Sequence, residues 1–435
     1  MNWKKRKLSD LCSITKGKIG ITKAIPGKYP LVATSEERRS HNEYHFEGEA
    51  VLIPLVSSTG HGHRSLNRIH YQTGKFAVGS ILCAVMPKDN TILNAEYLYR
   101  YLYLNKEKEL VSRMRGMANV SLPMREIGKV EIPLPPLEKQ LEFVEEYKKL
   151  EAVNGELSTE LSHQLSLVTQ LRQAFLREAM QGKLVEQNPA DEPASELLAR
   201  IKAEKEQLIK EKKIRKQKPL PPIEEEEIPF ETPESWEWCR LGDLSEVKGG
   251  KRIPKGHSFS NEITDHIYIR VADMKKNTIS TQNIKYISKD TFKLIEKYTI
   301  SSSNLYITIA GTIGSVGDVP KSFNGMNLTE NAAKFVFSNK KTNKNWLLYY
   351  LMSEAAQVQF MNQKKTITAQ PKLALFRISN CIVPLPPLAD QNRIVAKLNE
   401  LMTYCDQLEE SIKDSQTQNE MLLGQVLREA LEAEG

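Results

Sequence analysis

Pro133-Leu134-Pro135-Pro136-Leu137 opens one long stretch of the chain, and Pro384-Leu385-Pro386-Pro387-Leu388 opens another. A shift of 251 positions aligns the two without a gap. Gln140 falls on Gln391, Leu150 on Leu401, Leu157 on Leu408, and Leu176-Arg177-Glu178-Ala179 on Leu427-Arg428-Glu429-Ala430. A duplication this long in register points to an internal structural repeat.

Proline lacks an N–H and suits the first turn of a helix, so each Leu-Pro-Pro-Leu run predicts a helix start. Behind the first run, Phe143, Tyr147, Leu150, Asn154, Leu157, Leu161, Gln164, Val168, Leu171 and Phe175 alternate at spacings of four and three. Behind the second, Ile394, Leu398, Leu401, Cys405, Leu408, Ile412, Ser415, Asn419, Leu422 and Val426 keep that register. This is a heptad seam, with polar exceptions of the kind that fix register. Each helix would be on the order of 65 Å long. Two helices of equal length with matching seams are expected to pair with each other through Leu150, Leu157, Leu161, Leu171, Leu401, Leu408, Ile412 and Leu422; the alternative is that each packs separately on its own domain.

At 435 residues the chain exceeds one core. Five scattered cysteines without a C-x-x-C pair suggest reduced thiols in the cytoplasm and no zinc ribbon. No apolar run reaches the roughly 18 residues of a membrane helix, so no membrane association is expected. The net charge of +7 is unevenly spread. Residues 1–133 hold 21 Lys and Arg against 12 Asp and Glu, and residues 236–383 hold 21 against 11. The intervening segments 134–182 (5 against 8) and 183–235 (10 against 13) are acidic, as is 384–435 (4 against 10). Basic globules suit a polyanion such as double-stranded DNA, and acidic helices suit a protein partner.

The two basic segments open alike. Trp3, Leu8-Ser9-Asp10-Leu11, Ile14 and Gly17-Lys18 match Trp236, Leu241-Gly242-Asp243-Leu244, Val247 and Gly250-Lys251 at a shift of 233. Ala50–Pro54, Ser80–Val85, Ile267–Val271 and Leu305–Ile309 predict strands, while Tyr97–Leu102 and Trp346–Leu351 predict short helices. The expected fold class is therefore α+β: two mixed α/β globules, 1–133 and 236–383, separated by long paired helices at 134–182 and 384–435. Between the halves, 183–235 is a connector. It predicts a charged helix from Ser195 to about Lys216, then a proline-rich, extended and solvated spacer with the run Glu224–Glu227.

No catalytic motif emerges. No Gly-Lys pair completes a phosphate loop, and neither Gly-x-Gly-x-x-Gly nor Gly-x-Ser-x-Gly occurs in the needed context. His61-Gly62-His63 lacks a third metal ligand at useful spacing, and a polar loop is expected there. The loops offer DNA-contact candidates instead. In the first globule these are Lys16, Lys18, Ser58, Thr59, His61, His63, Arg64, Arg113 and Arg115; in the second, Lys248, Lys251, Arg252, Thr312, Asn331, Lys364, Lys365 and Thr366. Arg holds guanine bidentately, Asn or Gln holds adenine, and most Lys contacts position the backbone.

The doubled proline-initiated helix, Leu176–Leu184, Trp236-Glu237-Trp238, Tyr268-Ile269-Arg270-Val271, Leu328-Thr329-Glu330-Asn331-Ala332-Ala333 and the connector run Lys216–Pro222 together resemble the specificity subunit of type I restriction–modification enzymes. That resemblance implies two target-recognition domains, each reading half of a split DNA site, and helices that set the spacing and dock two methyltransferase subunits. Nuclease–translocase (R) subunits would complete the assembly. No cofactor is then bound by this chain; S-adenosylmethionine, ATP and Mg²⁺ belong to partner subunits. Two other readings remain at this point: a self-sufficient DNA methyltransferase or nuclease with an unrecognised site, and a coiled-coil scaffold.

Overall fold

The computed structural model describes residues 3–59, 62–117, 119–214, 216–337, 342–362 and 372–433, with side chains 423 and 427–433 outside the description. Of the expected contact residues, His61, Lys364, Lys365 and Thr366 lie outside the described residues. Two compact units result: Met1–Gln164 with Ser411–Gly435, and Leu165–Glu410.

The first unit carries β1 (Lys5–Lys7), α1 (Leu8–Leu11), β2 (Cys12–Lys16), β3 (Tyr29–Val32), β4 (Arg39–His41), β5 (Phe46–Pro54), β6 (His70–Val78) and β7 (Leu82–Pro87). There follow α2 (Ala95–Leu104), α3 (Lys106–Glu109), α4 (Met124–Gly128), β8 (Glu131–Pro133) and the first part of α5 (Leu137–Met180). Six strands form one sheet in the order β2-β7-β5-β6-β3-β4. Successive side chains of a strand face opposite ways, and here both faces are covered. Val51 and Ile53 pack with Leu98, Leu102 and Tyr147, while Ala50 and Leu52 pack with Phe46, Phe76 and Val78. Two buried faces explain why this stretch of β5 is continuously apolar.

The second unit holds α6 (Ala194–Lys210), β9 (Glu237–Arg240), α7 (Leu241–Leu244), β10 (Glu246–Gly249), β11 (Ile267–Ile269), β12 (Met274–Lys275), β13 (Thr278–Ile279), β14 (Lys285–Tyr286) and α8 (Lys289–Ile295). It continues through β15 (Thr299–Ile300), β16 (Leu305–Thr308), β17 (Val316–Asp318), β18 (Met326–Leu328) and β19 (Ala332–Val336). The last elements are α9 (Lys344–Met352), α10 (Glu354–Asn362), α11 (Leu375–Asn380), β20 (Ile382–Leu385) and α12 (Leu388–Ala433), whose part from Ser411 on belongs to the first unit. Its main sheets run β10-β19-β16-β17 and β14-β11-β18-β15. Each globule is closed by its own ends, β1 on β8 and β9 on β20, both antiparallel.

One backbone crossing is common to both units. Gly17 N donates to Leu82 O and Lys18 N to Val78 O; Gly250 N donates to Ala332 O and Lys251 N to Leu328 O. β3 runs parallel to β6, as β11 does to β18. At both sites a side chain is excluded, because a Cβ at Gly17 would lie 2.1 Å from Gly79 O and one at Gly250 2.1 Å from Thr329 O. The matched Gly-Lys pairs thus answer first to packing.

The connector departs from expectation. Its helix ends at Lys210, and the proline-rich part, exposed along most of its length as a solvated spacer would be, is nevertheless strapped to the second globule. Arg240, 5% exposed, donates to the carbonyls of Pro221 (3.2 Å), Pro222 (2.5 Å) and Asn380 (2.7 Å). It also donates to both carboxylate oxygens of Glu227, at 2.8 and 2.6 Å. The physical reason is satisfaction of donors: a buried guanidinium needs many acceptors, and the strap supplies most of them.

In the long helices the expected seam residues differ in exposure. Leu161 and Val168 are buried, and Leu401 and Ile412 half-buried. Leu150, Leu157, Leu171, Leu408 and Leu422 are 37–60% exposed. At two of these positions the next residue along is the less exposed, Arg172 beside Leu171 and Glu409 beside Leu408. In the second unit Arg172 Nη2 meets Asp406 at 2.7 Å and Glu409 at 3.0 Å. In the first unit Gln416 donates to Ser162 Oγ at 3.4 Å, and Asn419 donates to the carbonyl of Asn154 at 3.5 Å. Polar groups with partners across the contact take these inward positions, and the leucines turn to the flank.

Candidate nucleic-acid interface

In the first unit two loops are sewn side by side. Ser57 N donates to Val120 O, Leu122 N to Leu55 O, and Arg115 and Ser121 exchange backbone hydrogen bonds. This gathers Ser58, Thr59, His63 and Arg64 with Arg113 and Arg115. Ser58 Oγ accepts from Asn67 N at 2.9 Å, stiffening its loop. Both arginines are partly engaged: Arg113 reaches Glu109 at 3.6 Å and Arg115 reaches Glu126 at 3.2 Å. Lys16 and Lys18 are exposed at the end of β2, on the shared crossing rather than in these loops.

In the second unit the crossing leads into an open cavity of about 390 Å³, lined among others by Arg252, Phe259, Tyr268, Arg270, Glu330 and Asn331. Asn331 O accepts from Ile309 N (2.8 Å) and Ala310 N (3.2 Å), drawing the loop that carries Thr312 to the same turn. Lys251 precedes Arg252 of that lining, with its ammonium 5.7 Å from the Tyr298 ring. Lys251, Arg252, Thr312 and Asn331 are thereby brought together. Lys248 is not: it pairs with Glu246 at 2.7 Å and lines a separate, narrower cavity with Lys205 and Leu208 of α6.

Sequence reasoning assigned no role to Glu330, Arg270, Tyr268 or Phe259. Glu330 accepts from Arg252 Nε at 3.3 Å, Tyr268 Oη at 3.3 Å and Thr329 Oγ1 at 3.1 Å. Burial pushes its carboxyl up. Hydrogen bonds from its own backbone N–H, Thr329, Arg252 and Tyr268 outweigh that and hold it below the usual range, so it is ionised. Arg270 is held by Asp273 at 2.6 Å and by Asn283 O. The available signal was compositional, a carboxylate in a loop of a strongly basic segment. Among the described residues no three His, Cys, Asp or Glu side chains are placed to hold a metal ion, and no helix is long and apolar enough to cross a membrane.

Comparison with known proteins gives these loops a context. The type I restriction enzyme EcoAI specificity subunit of Escherichia coli is 34% identical over 274 residues, covering 60% of this chain and 44% of that subunit. The chain's match thus spans less than half that relative's length. The EcoDI specificity subunit of Escherichia coli is 22% identical over 441 residues, covering 100% of this chain and 89% of that one. A solved structure described as the structural basis of complex assembly and conformational transition of the type I R-M system superposes with a TM-score of 0.60 at 17% identity. It covers 99% of this chain and 97% of its own, and shows a shared fold. Residues 1–167 and 233–416 both match the type I restriction modification DNA specificity domain, and the chain belongs to that family.

Proposed function

We propose that this chain is the non-catalytic, DNA-reading specificity subunit of a type I restriction–modification assembly. Each globule reads one half of a bipartite double-stranded DNA target. The observation that carries the reading is the duplicated crossing, one backbone frame presenting different loop side chains in each unit. Such a pair suits two half-sites of unlike sequence. α5 and α12 pair antiparallel as a coiled coil and set the spacing between half-sites. The antiparallel contacts within each unit support this: Arg172 with Asp406 and Glu409, and Ser162 with Gln416. The flank leucines, left exposed in the single chain, form part of the surface on which two methyltransferase subunits dock. R subunits join them, and S-adenosylmethionine, ATP and Mg²⁺ are used by partners.

Co-expression with a methyltransferase subunit, followed by sequencing of methylated positions, tests this. The expected result is one split motif, bound more weakly as salt rises. Methyl transfer or cleavage by the lone chain overturns it.

A further inference from the structure

The crossing common to both units ends in a three-residue turn between matched strands. In the first unit β6 gives way to β7 through Gly79-Ser80-Ile81, and in the second β18 gives way to β19 through Thr329-Glu330-Asn331. Gly79 N donates to Val32 O and Thr329 N to Ile269 O, so the two turns hang from equivalent parallel strands. The frame is the same; only one turn carries a carboxylate and an amide. Side chains that vary on a fixed frame are where a reader stores its sequence preference.

A carboxylate in that place needs an explanation. The segment 236–383 has 21 Lys and Arg against 11 Asp and Glu, as befits a surface meeting phosphates, and a carboxylate there is repelled by every phosphate it approaches. Among the described residues that line the open cavity, Glu330 is the one acid. Oε2 accepts from the Thr329 hydroxyl and stands 3.3 Å from the Tyr268 hydroxyl, which also donates to the Lys251 carbonyl at 2.8 Å, while Oε1 takes the Arg252 Nε–H. Among the described residues Arg252 meets Glu330 through Nε, and its side chain is 77% exposed, which leaves the guanidinium accessible to a ligand. Lys372 closes the turn from behind through the Glu330 carbonyl at 3.0 Å. The result is a preorganised acceptor beside a planar two-pronged donor.

We propose that Glu330 and Arg252 read a G·C pair in the half-site served by the second unit. Glu330 accepts from the 4-amino group of cytosine, and the terminal N–H groups of Arg252 donate to O6 and N7 of guanine on the opposite strand. An ionised carboxylate rejects thymine O4 and guanine O6, both acceptors, and the arginine fork matches guanine alone in the major groove. The first unit, with Ser80 at the matching place, reads its half-site with other residues. The inference rests on the function proposed above.

The test uses the assembly with its methyltransferase subunits and duplexes randomised in both half-sites, with bound sequences recovered at fixed salt. The wild-type assembly is expected to select a split motif with a G·C pair in one half. Glu330→Gln, which replaces a pure acceptor with an amide, should reduce the preference for cytosine at that pair by roughly 10- to 100-fold. Arg252→Lys alters an exposed side chain and leaves folding intact. It should relax the guanine preference at the same pair, with the other half-site unchanged in both variants. Variants that keep every wild-type base preference, or that weaken all sequences alike, overturn the inference while leaving the function standing. A wild-type assembly that selects no sequence overturns the proposed function itself.

Discussion

Gln140 and Gln391 stand 251 positions apart in the sequence and do the same work in separate units. Gln140 Oε1 accepts from Asn94 N at 2.8 Å, and its amide donates to Pro135 O at 2.8 Å. Gln391 Oε1 accepts from Asn343 N at 2.8 Å, and its amide donates to Pro386 O at 2.9 Å. Both are 0% exposed. Asn94 caps α2 and Asn343 caps α9, so each glutamine ties the first turn of a long helix to the helix cap of its own globule. The proline-rich start is thus more than a helix initiator, because its carbonyls are the acceptors.

Gln391→Ala leaves the Asn343 N–H and the Pro386 carbonyl without partners in a dry site. The expected cost is about 1–3 kcal/mol, read as a lowered urea midpoint. Gln391→Glu should cost more, since a carboxylate loses the donor and must be buried as a charge or neutralised. An unchanged midpoint for both variants would refute the role assigned here.

Arg240→Ala should release the connector. It removes the donors on the Pro221, Pro222 and Asn380 carbonyls and breaks the pair with Glu227. Because the Glu227 side chain is 40% exposed, the loss is expected to be about 2–3 kcal/mol, below that for a fully buried pair. The direct readout is trypsin cleavage after Lys216, which is exposed and followed by Gln217, faster in the variant than in the wild type. Equal cleavage rates would mean the strap holds by other contacts.

Much of this was legible from the chain because repetition doubles a weak signal. The proline-initiated helices, the matched Gly-Lys crossings and the paired short helices each occur twice, so each copy supports the other. What could not be read depends on partners distant in sequence. Arg240 aligns with Lys7, an exposed residue, and nothing local says that one is buried under a strap. A seam of leucines spaced by threes and fours fits two phases one residue apart. The choice was made by Arg172 finding Asp406 and Glu409 more than 230 positions away. Glu330 lay inside a stretch quoted for its resemblance, yet its task depends on Arg252 and Tyr268, which only the fold brings near.

Acid should weaken the first unit through His70. Burial first, then the nearby Arg38 and Arg68 charges, push this imidazole from its ordinary 6.5 to about 4. Arg38 Nη1 stands 3.2 Å from His70 Nδ1, a neutral acceptor's position. The unfolded chain takes up this proton near pH 6.5 and the folded one only near 4. Stability is therefore full above pH 6.5 and falls as pH drops toward 4, by at most roughly 3 kcal/mol. Urea midpoints at neutral and mildly acidic pH should show a decline that His70→Gln reduces by about 2 kcal/mol. An equal decline in the variant would place the proton uptake elsewhere.

The proposed pairing of α5 with α12 is open to test by charge exchange. Arg172→Glu would set three carboxylates together where Arg172 now meets Asp406 and Glu409 at 2.7 and 3.0 Å. The attraction lost is modest, about 1 kcal/mol, because the Asp406 side chain is 73% exposed and partly screened. Repulsion adds a similar amount, so the expected total is about 2 kcal/mol, larger in low salt. Glu409→Arg in the same chain should restore most of it, whereas Glu409→Arg alone should destabilise by setting it against Arg172. Such reciprocal rescue requires the two side chains to be neighbours, since changes at distant sites simply add. Additive losses in the double variant, measured by urea unfolding at low and high salt, would separate the helices and remove the spacing device from the proposed function.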